Sequence, residues 1–183
     1  MKFLFASDSF KGTLSSQKTA ELLTQSARET FPDCQCDSIT VADGGEGTTD
    51  AVLAATNGKK ISVQVHGPLW ENITSNYGML DETRAVMEMA VASGLPLVPE
   101  EKRDPRYTTS YGTGEMIADA LRRGFRDISI AIGGSATNDG GIGCIRALGG
   151  KFLDENNQEL KGCGEDLMKI RKIDLSESID KRM

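Results

Sequence analysis

Ile130-Ala-Ile-Gly-Gly-Ser-Ala-Thr-Asn-Asp-Gly-Gly-Ile-Gly143 is the stretch on which the reading of this chain turns. The apolar run from Ile128 to Ile132 predicts a buried strand. It breaks at Gly133-Gly134 into a loop that holds Ser135, Thr137, Asn138 and Asp139, and a helix is predicted to open at Gly140-Gly141. Strand, glycine-rich loop and helix in that order are the repeating unit of an α/β fold. Glycine permits positive φ and close backbone approach, so successive N–H groups can turn toward an anion. A helix N-terminus adds its own unpaired N–H groups and the positive end of its dipole. A phosphate or a carboxylate suits such a place, although a plain strand-to-helix turn with a polar cap has the same composition. The loop is not a standard nucleotide motif. No lysine follows Gly140, Gly141 or Gly143 as a P-loop requires, and Gly141-Ile-Gly143 runs on to Arg146 where a dinucleotide fingerprint needs glycine.

Upstream, the first sixty residues repeat the same unit. Lys2–Ser7 predicts a strand, followed by the polar turn Asp8-Ser-Phe-Lys-Gly-Thr13. Ser15 is placed to cap a helix that runs to about Phe31, with Pro32 ending it. Asp37–Val41 predicts a second strand and Asp43-Gly-Gly-Glu-Gly47 a second glycine-rich turn. Thr48–Thr56 predicts a short helix closed by Asn57-Gly58. Repeated strand–helix units imply parallel strands with right-handed crossovers. After residue 60 the pattern changes. Lys60–Val65, Asn72–Leu80 and Arg84–Met89 read as an antiparallel meander, with helix returning around Thr113–Arg123. That change of topology predicts a domain boundary, with residues 1–60 on one side and 61–183 on the other.

Composition narrows the function. The chain has 183 residues, 38% of them hydrophobic, enough for a core, and a formal net charge of −6. The acidic balance argues against general nucleic-acid binding, and it obliges an anionic substrate to find local cations or a metal ion. No apolar run approaches the roughly 18–20 residues of a membrane span, and the start is too short for a signal peptide, so the expected location is the cytoplasm. Cys34-x-Cys36 lacks the usual zinc spacing. His66 is the only histidine and sits at a predicted strand end, so Ser-His-Asp or Cys-His hydrolysis is excluded as the leading reading.

Ligands of open parallel sheets gather at the carboxyl ends of strands. Asp8-Ser-Phe-Lys11 follows the first strand and Asp43-Gly-Gly-Glu-Gly47 the second, so neighbouring strands would bring Asp8, Lys11, Asp43 and Glu46 into one cleft. Carboxylates there suit Mg²⁺ or proton abstraction from a hydroxyl, and Lys11 suits a phosphoryl group. An aspartyl-phosphatase reading fails because Phe10 stands where a second aspartate is needed. Thr108-Thr-Ser-Tyr-Gly-Thr-Gly-Glu115 offers a further possible anion site. Glu88, in an otherwise apolar strand, needs a partner, ordinarily an arginine.

Five motifs in order, Asp8-Ser-Phe-Lys-Gly-Thr13, Ala42-Asp-Gly-Gly-Glu-Gly-Thr48, Met87-Glu-Met-Ala-Val-Ala-Ser-Gly-Leu95, Thr109-Ser-Tyr-Gly-Thr-Gly-Glu115 and Gly133-Gly-Ser-Ala-Thr-Asn-Asp-Gly-Gly141, closely resemble the type I glycerate kinase family. The resemblance implies ATP-dependent phosphorylation of D-glycerate to 2-phosphoglycerate with Mg²⁺. It also implies a flavodoxin-like doubly wound domain into which a second α/β domain, resembling the restriction-endonuclease fold, is inserted. Strand ends and resemblance together nominate Asp43 and Lys11 for catalysis, and Asp8, Ser9 and Ser110 for substrate. They nominate Gly133, Gly134, Ser135, Thr137, Asn138, Asp139 and Gly140 for the nucleotide phosphates, and Asp43 with Glu46 for the metal. Family members are roughly twice this length, so the chain is expected to be the N-terminal half of a kinase, with the flavodoxin-like domain incomplete. On its own it is expected to be inactive or to act as a non-catalytic nucleotide- or hydroxy-acid-binding module.

Overall fold

The computed structural model describes residues 1–10 and 13–179. Strand β1 (Lys2–Phe5) pairs in parallel with β2 (Gln35–Ser38), and helix α1 (Ser16–Thr30) makes the crossover. The predicted cap is present: Ser15 Oγ accepts the Lys18 N–H at 3.1 Å. Strand β2 lies two residues earlier than its apolar tail suggests. Its register with β1, Lys2 opposite Gln35 through Phe5 opposite Ser38, exhausts the short first strand and leaves Val41 beyond the paired residues. Helix α2 (Thr48–Thr56) ends at Asn57, whose left-handed φ of 54° closes it as the Asn-Gly pair predicts.

A four-stranded sheet follows, in the order β3 (Lys59–His66), β4 (Asn72–Met79), β5 (Arg84–Glu88), β6 (Asp127–Ala131). The first three strands form the expected antiparallel meander. Strand β6 then joins β5 in parallel, so the sheet is mixed. The crossover between them carries the single turn α3 (Ala90–Ser93) and helix α4 (Tyr111–Arg122). Met116 and Ala120 of α4 pack with Val65, Tyr77, Ala85, Met87, Ala92 and Phe125 into the main core. Gly112 permits the close approach of α4 to β3, because a Cβ there would strike the His66 carbonyl. Tyr77 is fully buried, donates its hydroxyl to Asp119 at 2.8 Å, and is pushed above the ordinary phenol range by that burial first.

Beyond β6 the predicted helix is α5 (Ile142–Ala147), only six residues long. It packs through Ile142 on Phe152 and Leu160 beside the small antiparallel pair β7 (Lys151–Leu153) and β8 (Lys172–Asp174). The molecule is thus a mixed α/β structure with parallel and antiparallel sheets. The carboxyl ends of β2 and β6 feed its two glycine-rich loops.

Candidate active site

The two loops touch. Asp43 Oδ1 accepts the Gly45 N–H at 3.0 Å, forming a side-chain turn that leads to Gly47 (φ +89°) and into α2. Gly133 donates its N–H to the Gly44 carbonyl at 2.9 Å. A Cβ on Gly133 would lie 2.8 Å from that carbonyl oxygen and 2.8 Å from Gly45 Cα, so this glycine is required by the loop-to-loop contact itself.

Glu88 fixes the start of α2. Its carboxylate, 4% exposed at the end of β5, accepts the Thr49 N–H at 2.6 Å and the Gly47 N–H at 3.3 Å. The buried charge is therefore balanced by the positive end of a helix, and the arginine partner expected from the sequence is absent among the described residues.

Between the β1–α1 turn and α2 lies a cleft of about 540 Å³, lined by Asp8, Ser9, Glu46, Thr49, Lys60 and Glu88 among others. Three sequence-nominated residues, Asp8, Ser9 and Glu46, thus come together. Asp43 is exposed and stands off the lining, at the opposite end of the same loop. Lys11 lies outside the described residues. Lys60 was not anticipated: its ammonium reaches Asp50 at 2.6 Å on the cleft wall. Thr49 was not anticipated either, and its Oγ1 is buried with no hydrogen-bond partner among the described residues. Among the described lining residues, the carboxylates of Asp8, Glu46, Asp50 and Glu88 face one ammonium, Lys60. An anion enters such a cleft only with added positive charge.

The second loop is pinned at both ends. Leu95 donates its N–H to Gly134 O and Ala136 donates its own to Ser93 O, each at 2.9 Å, while Thr108 Oγ1 donates to Ala136 O at 2.8 Å. Ser135 Oγ accepts the Thr137 N–H at 2.9 Å and lies 3.0 Å from Thr137 Oγ1. The exposed N–H groups of Gly134, Ser135, Asn138 and Gly140 meet no acceptor among the described residues. Gly134 and Gly140 take positive φ, +77° and +62°.

The helix behind it is a different matter. Asp139, 2% exposed, accepts Gly141 N–H at 2.9 Å, Ser110 Oγ–H at 2.7 Å, Ser110 N–H at 2.8 Å and Gly143 N–H at 3.3 Å. Ser110 Oγ in turn accepts the Cys144 N–H at 3.0 Å. The N-terminus of α5 is thus filled from within. Asp139 and Ser110, both nominated from the sequence for ligand, are buried with their polar atoms engaged, and they hold α4 and α5 together behind the loop. His66 ends β3 as read, its Nδ1 3.0 Å from the Glu115 carboxylate. Among the described residues, the one close group of three potential metal ligands is Cys163, Glu165 and Asp166. Lys169, 3.1 Å from Asp166, already supplies the cation there.

Three comparisons bear on this geometry. The model of the glycerate kinase family matches residues 3–183. The chain is 49% identical to glycerate 2-kinase of Escherichia coli (strain K12) over 184 residues, covering 100% of this chain and 48% of that protein. It is 47% identical to the glycerate kinase of Bacillus subtilis (strain 168), again over 100% of this chain and 48% of the relative. A crystal structure from Salmonella typhimurium LT2, provisionally named glycerate kinase 2, superposes with a TM-score of 0.81 at 43% identity, over 99% of this chain and 49% of that one. The chain spans about half the length of the curated relatives it matches. With that match running almost from end to end, the chain belongs to the glycerate kinase family.

Proposed function

We propose that the full-length protein transfers the γ-phosphoryl group of ATP to D-glycerate, giving 2-phosphoglycerate. The observation that carries this reading is the direct contact of the two loops, one with free N–H donors and the other with the Glu46 carboxylate reaching the cleft. Phosphoryl transfer is mainly positioning and charge stabilisation. In this reading the N–H groups of Gly134, Ser135, Asn138 and Gly140 cradle phosphate, with the Thr137 and Ser135 hydroxyls beside them. Asp8 and Ser9 hold the hydroxy acid at the other end of the cleft. Asp43 orients or deprotonates the attacking hydroxyl, and Lys11 with Lys60 offsets developing negative charge. The donor set fits Mg²⁺: exposed carboxylates on one loop, Asp43 and Glu46, are hard ligands of the kind that bind it alongside substrate phosphates. When bound there, Mg²⁺ supplies the positive charge that this acidic cleft lacks.

The domain reading is part of the same proposal. Residues 1–60 begin a flavodoxin-like domain, and 61–183 belong to an inserted domain resembling the restriction-endonuclease fold. The separation of the β1–β2 pair from the β3–β6 sheet supports that division. The proposed partners are a small hydroxy acid and a nucleotide, without nucleic acid or membrane, and the proposed setting is the cytoplasm. Among the described residues no helix is long and apolar enough to cross a membrane.

A coupled ADP-release assay on the full-length protein tests the reaction. Glycerate-dependent turnover is expected, with the phosphorylated position read by NMR of the product. Turnover with another hydroxy acid but none with glycerate would overturn the substrate. A second reading, a nucleotide- or hydroxy-acid-binding module without turnover, is favoured for residues 1–183 alone by their covering half of the relatives. Calorimetric binding of ATP with no ADP release supports it, and turnover by this segment excludes it.

A further inference from the structure

Cys34 and Cys36 take no part in the chemistry above, yet their sulfurs lie 3.4 Å apart. Their arrangement follows from the backbone. Cys34 leaves the turn after α1, its N–H donating to the Phe31 carbonyl at 2.9 Å, and the next N–H, of Gln35, donates to the Met1 carbonyl at 2.9 Å. The chain is then extended, with Cys36 opposite Phe3 in β1. Alternate residues of an extended chain share one face, so both sulfurs emerge on the same side. Both residues are partly exposed, whereas Cys163 is buried.

We propose that Cys34 and Cys36 are a reversible redox dithiol, which a low-molecular-weight disulfide such as glutathione disulfide converts into a Cys34–Cys36 disulfide. The Cys36 thiolate attacks one sulfur of glutathione disulfide, whose S–S bond breaks to release one glutathione. Cys34 then loses its proton and attacks the Cys36 sulfur, releasing the second glutathione. Two protein thiols lose two electrons, one external disulfide gains them, and the two thiol protons end on the two glutathiones. Cys34 is assigned the resolving role: burial first, then the hydrogen bond and charge of Cys36, push its thiol up, with Arg28 opposing. Closure moves the sulfurs from 3.4 Å to about 2.05 Å. A disulfide two residues apart closes a small, strained ring, and strained disulfides are readily reduced again. The other two thiols are poorly disposed to compete. Burial first, then the charge of Asp139, pushes Cys144 up to about 11, and burial first pushes Cys163 up to about 11 as well.

Arg28 and Lys59 are successive tryptic sites, so both cysteines fall in one peptide. The full-length protein is incubated with glutathione disulfide, free thiols are alkylated, and the digest is weighed. The expected wild-type peptide is lighter by two hydrogens, unalkylated, and returns to the dithiol with dithiothreitol, while Cys144 and Cys163 stay alkylated. Cys34→Ser is expected to stop at the glutathione adduct on Cys36, since the resolving sulfur is gone. Two alkylated cysteines in the wild-type peptide, a persistent glutathione adduct there, or a bond to Cys144 or Cys163 would each overturn the proposal.

Discussion

Asp43 commits one carboxylate oxygen to the Gly45 N–H at 3.0 Å, a bond that an asparagine oxygen can also make. Asp43→Asn should therefore leave Tm nearly unchanged while removing the charge. Loss of a general base alone lowers kcat by about 10²–10⁴-fold, and that is the fall expected in the full-length enzyme. Near-normal kcat would reduce Asp43 to a turn residue. Glu88 gives the opposite pattern, because both of its oxygens cap α2 from a buried position. Glu88→Gln keeps the shape but leaves an amide N–H₂ facing backbone N–H groups, at a cost of about 1–3 kcal/mol. Thermal melting should show a loss of several degrees; an unchanged Tm would mean that the α2 N-terminus does not depend on that carboxylate. The contrast marks what the sequence could reveal at this scale. Asp8, Ser9 and Glu46 were readable because turn residues after strands gather at one edge of a parallel pair. Thr49 and Lys60 were not, because only the packing of α2 and β3 around the cleft gives them a role. Asp139 and Ser110 carried the right chemistry for a ligand and use it on each other.

Elements were legible where the signal is local. Ser15 as cap, Asn57 as terminator of α2 and the β3–β4–β5 meander all follow from neighbours in the chain. What was not legible is non-local: β2 takes its register from β1, and β6 pairs in parallel with a strand about forty positions earlier. The contact between the Gly44-Gly45 and Gly133-Gly134 loops belongs to the same class, since neither loop announces the other. It can be tested at Gly133, whose missing Cβ leaves room for Gly44 and Gly45. Gly133→Ala forces the loops apart, an overpacking cost of about 1–3 kcal/mol. Displacing the N–H groups proposed to hold phosphate from the carboxylate loop by even about 1 Å can cost on the order of 10²-fold in rate. The expected result is a modest fall in Tm with a disproportionate fall in kcat. A kcat that falls no further than the loss of folded protein would separate the loop contact from catalysis.

At the scale of the molecule, apolar burial is unevenly spread. Among the described residues, the first buried hydrophobic side chain is Val65, and the buried groups before it are Ser16, Thr19 and Thr49. Leu4 is 59% exposed and Ile39 52% exposed, although Leu4 lies in β1 and Ile39 directly follows β2. The β3–β6 sheet, by contrast, lies against the core built from Val65, Tyr77, Met87 and Met116. A two-stranded pair has little stability of its own, and apolar burial supplies most of what holds a sheet closed. Opening of β1 and β2 should therefore be local and frequent, while opening of β5 should require loss of the whole core. Hydrogen–deuterium exchange on the 183-residue chain should show amides of Phe3–Phe5 and Cys36–Ser38 exchanging faster than those of Ala85–Glu88, by on the order of 10²-fold or more. Because α1 is capped by Ser15 but buries only Ser16 and Thr19, its amides should exchange with the faster group. Equal protection of the two sheets would show that the β1–β2 pair draws stability from something other than buried apolar surface, and would remove the physical basis for treating residues 1–60 as a separate unit.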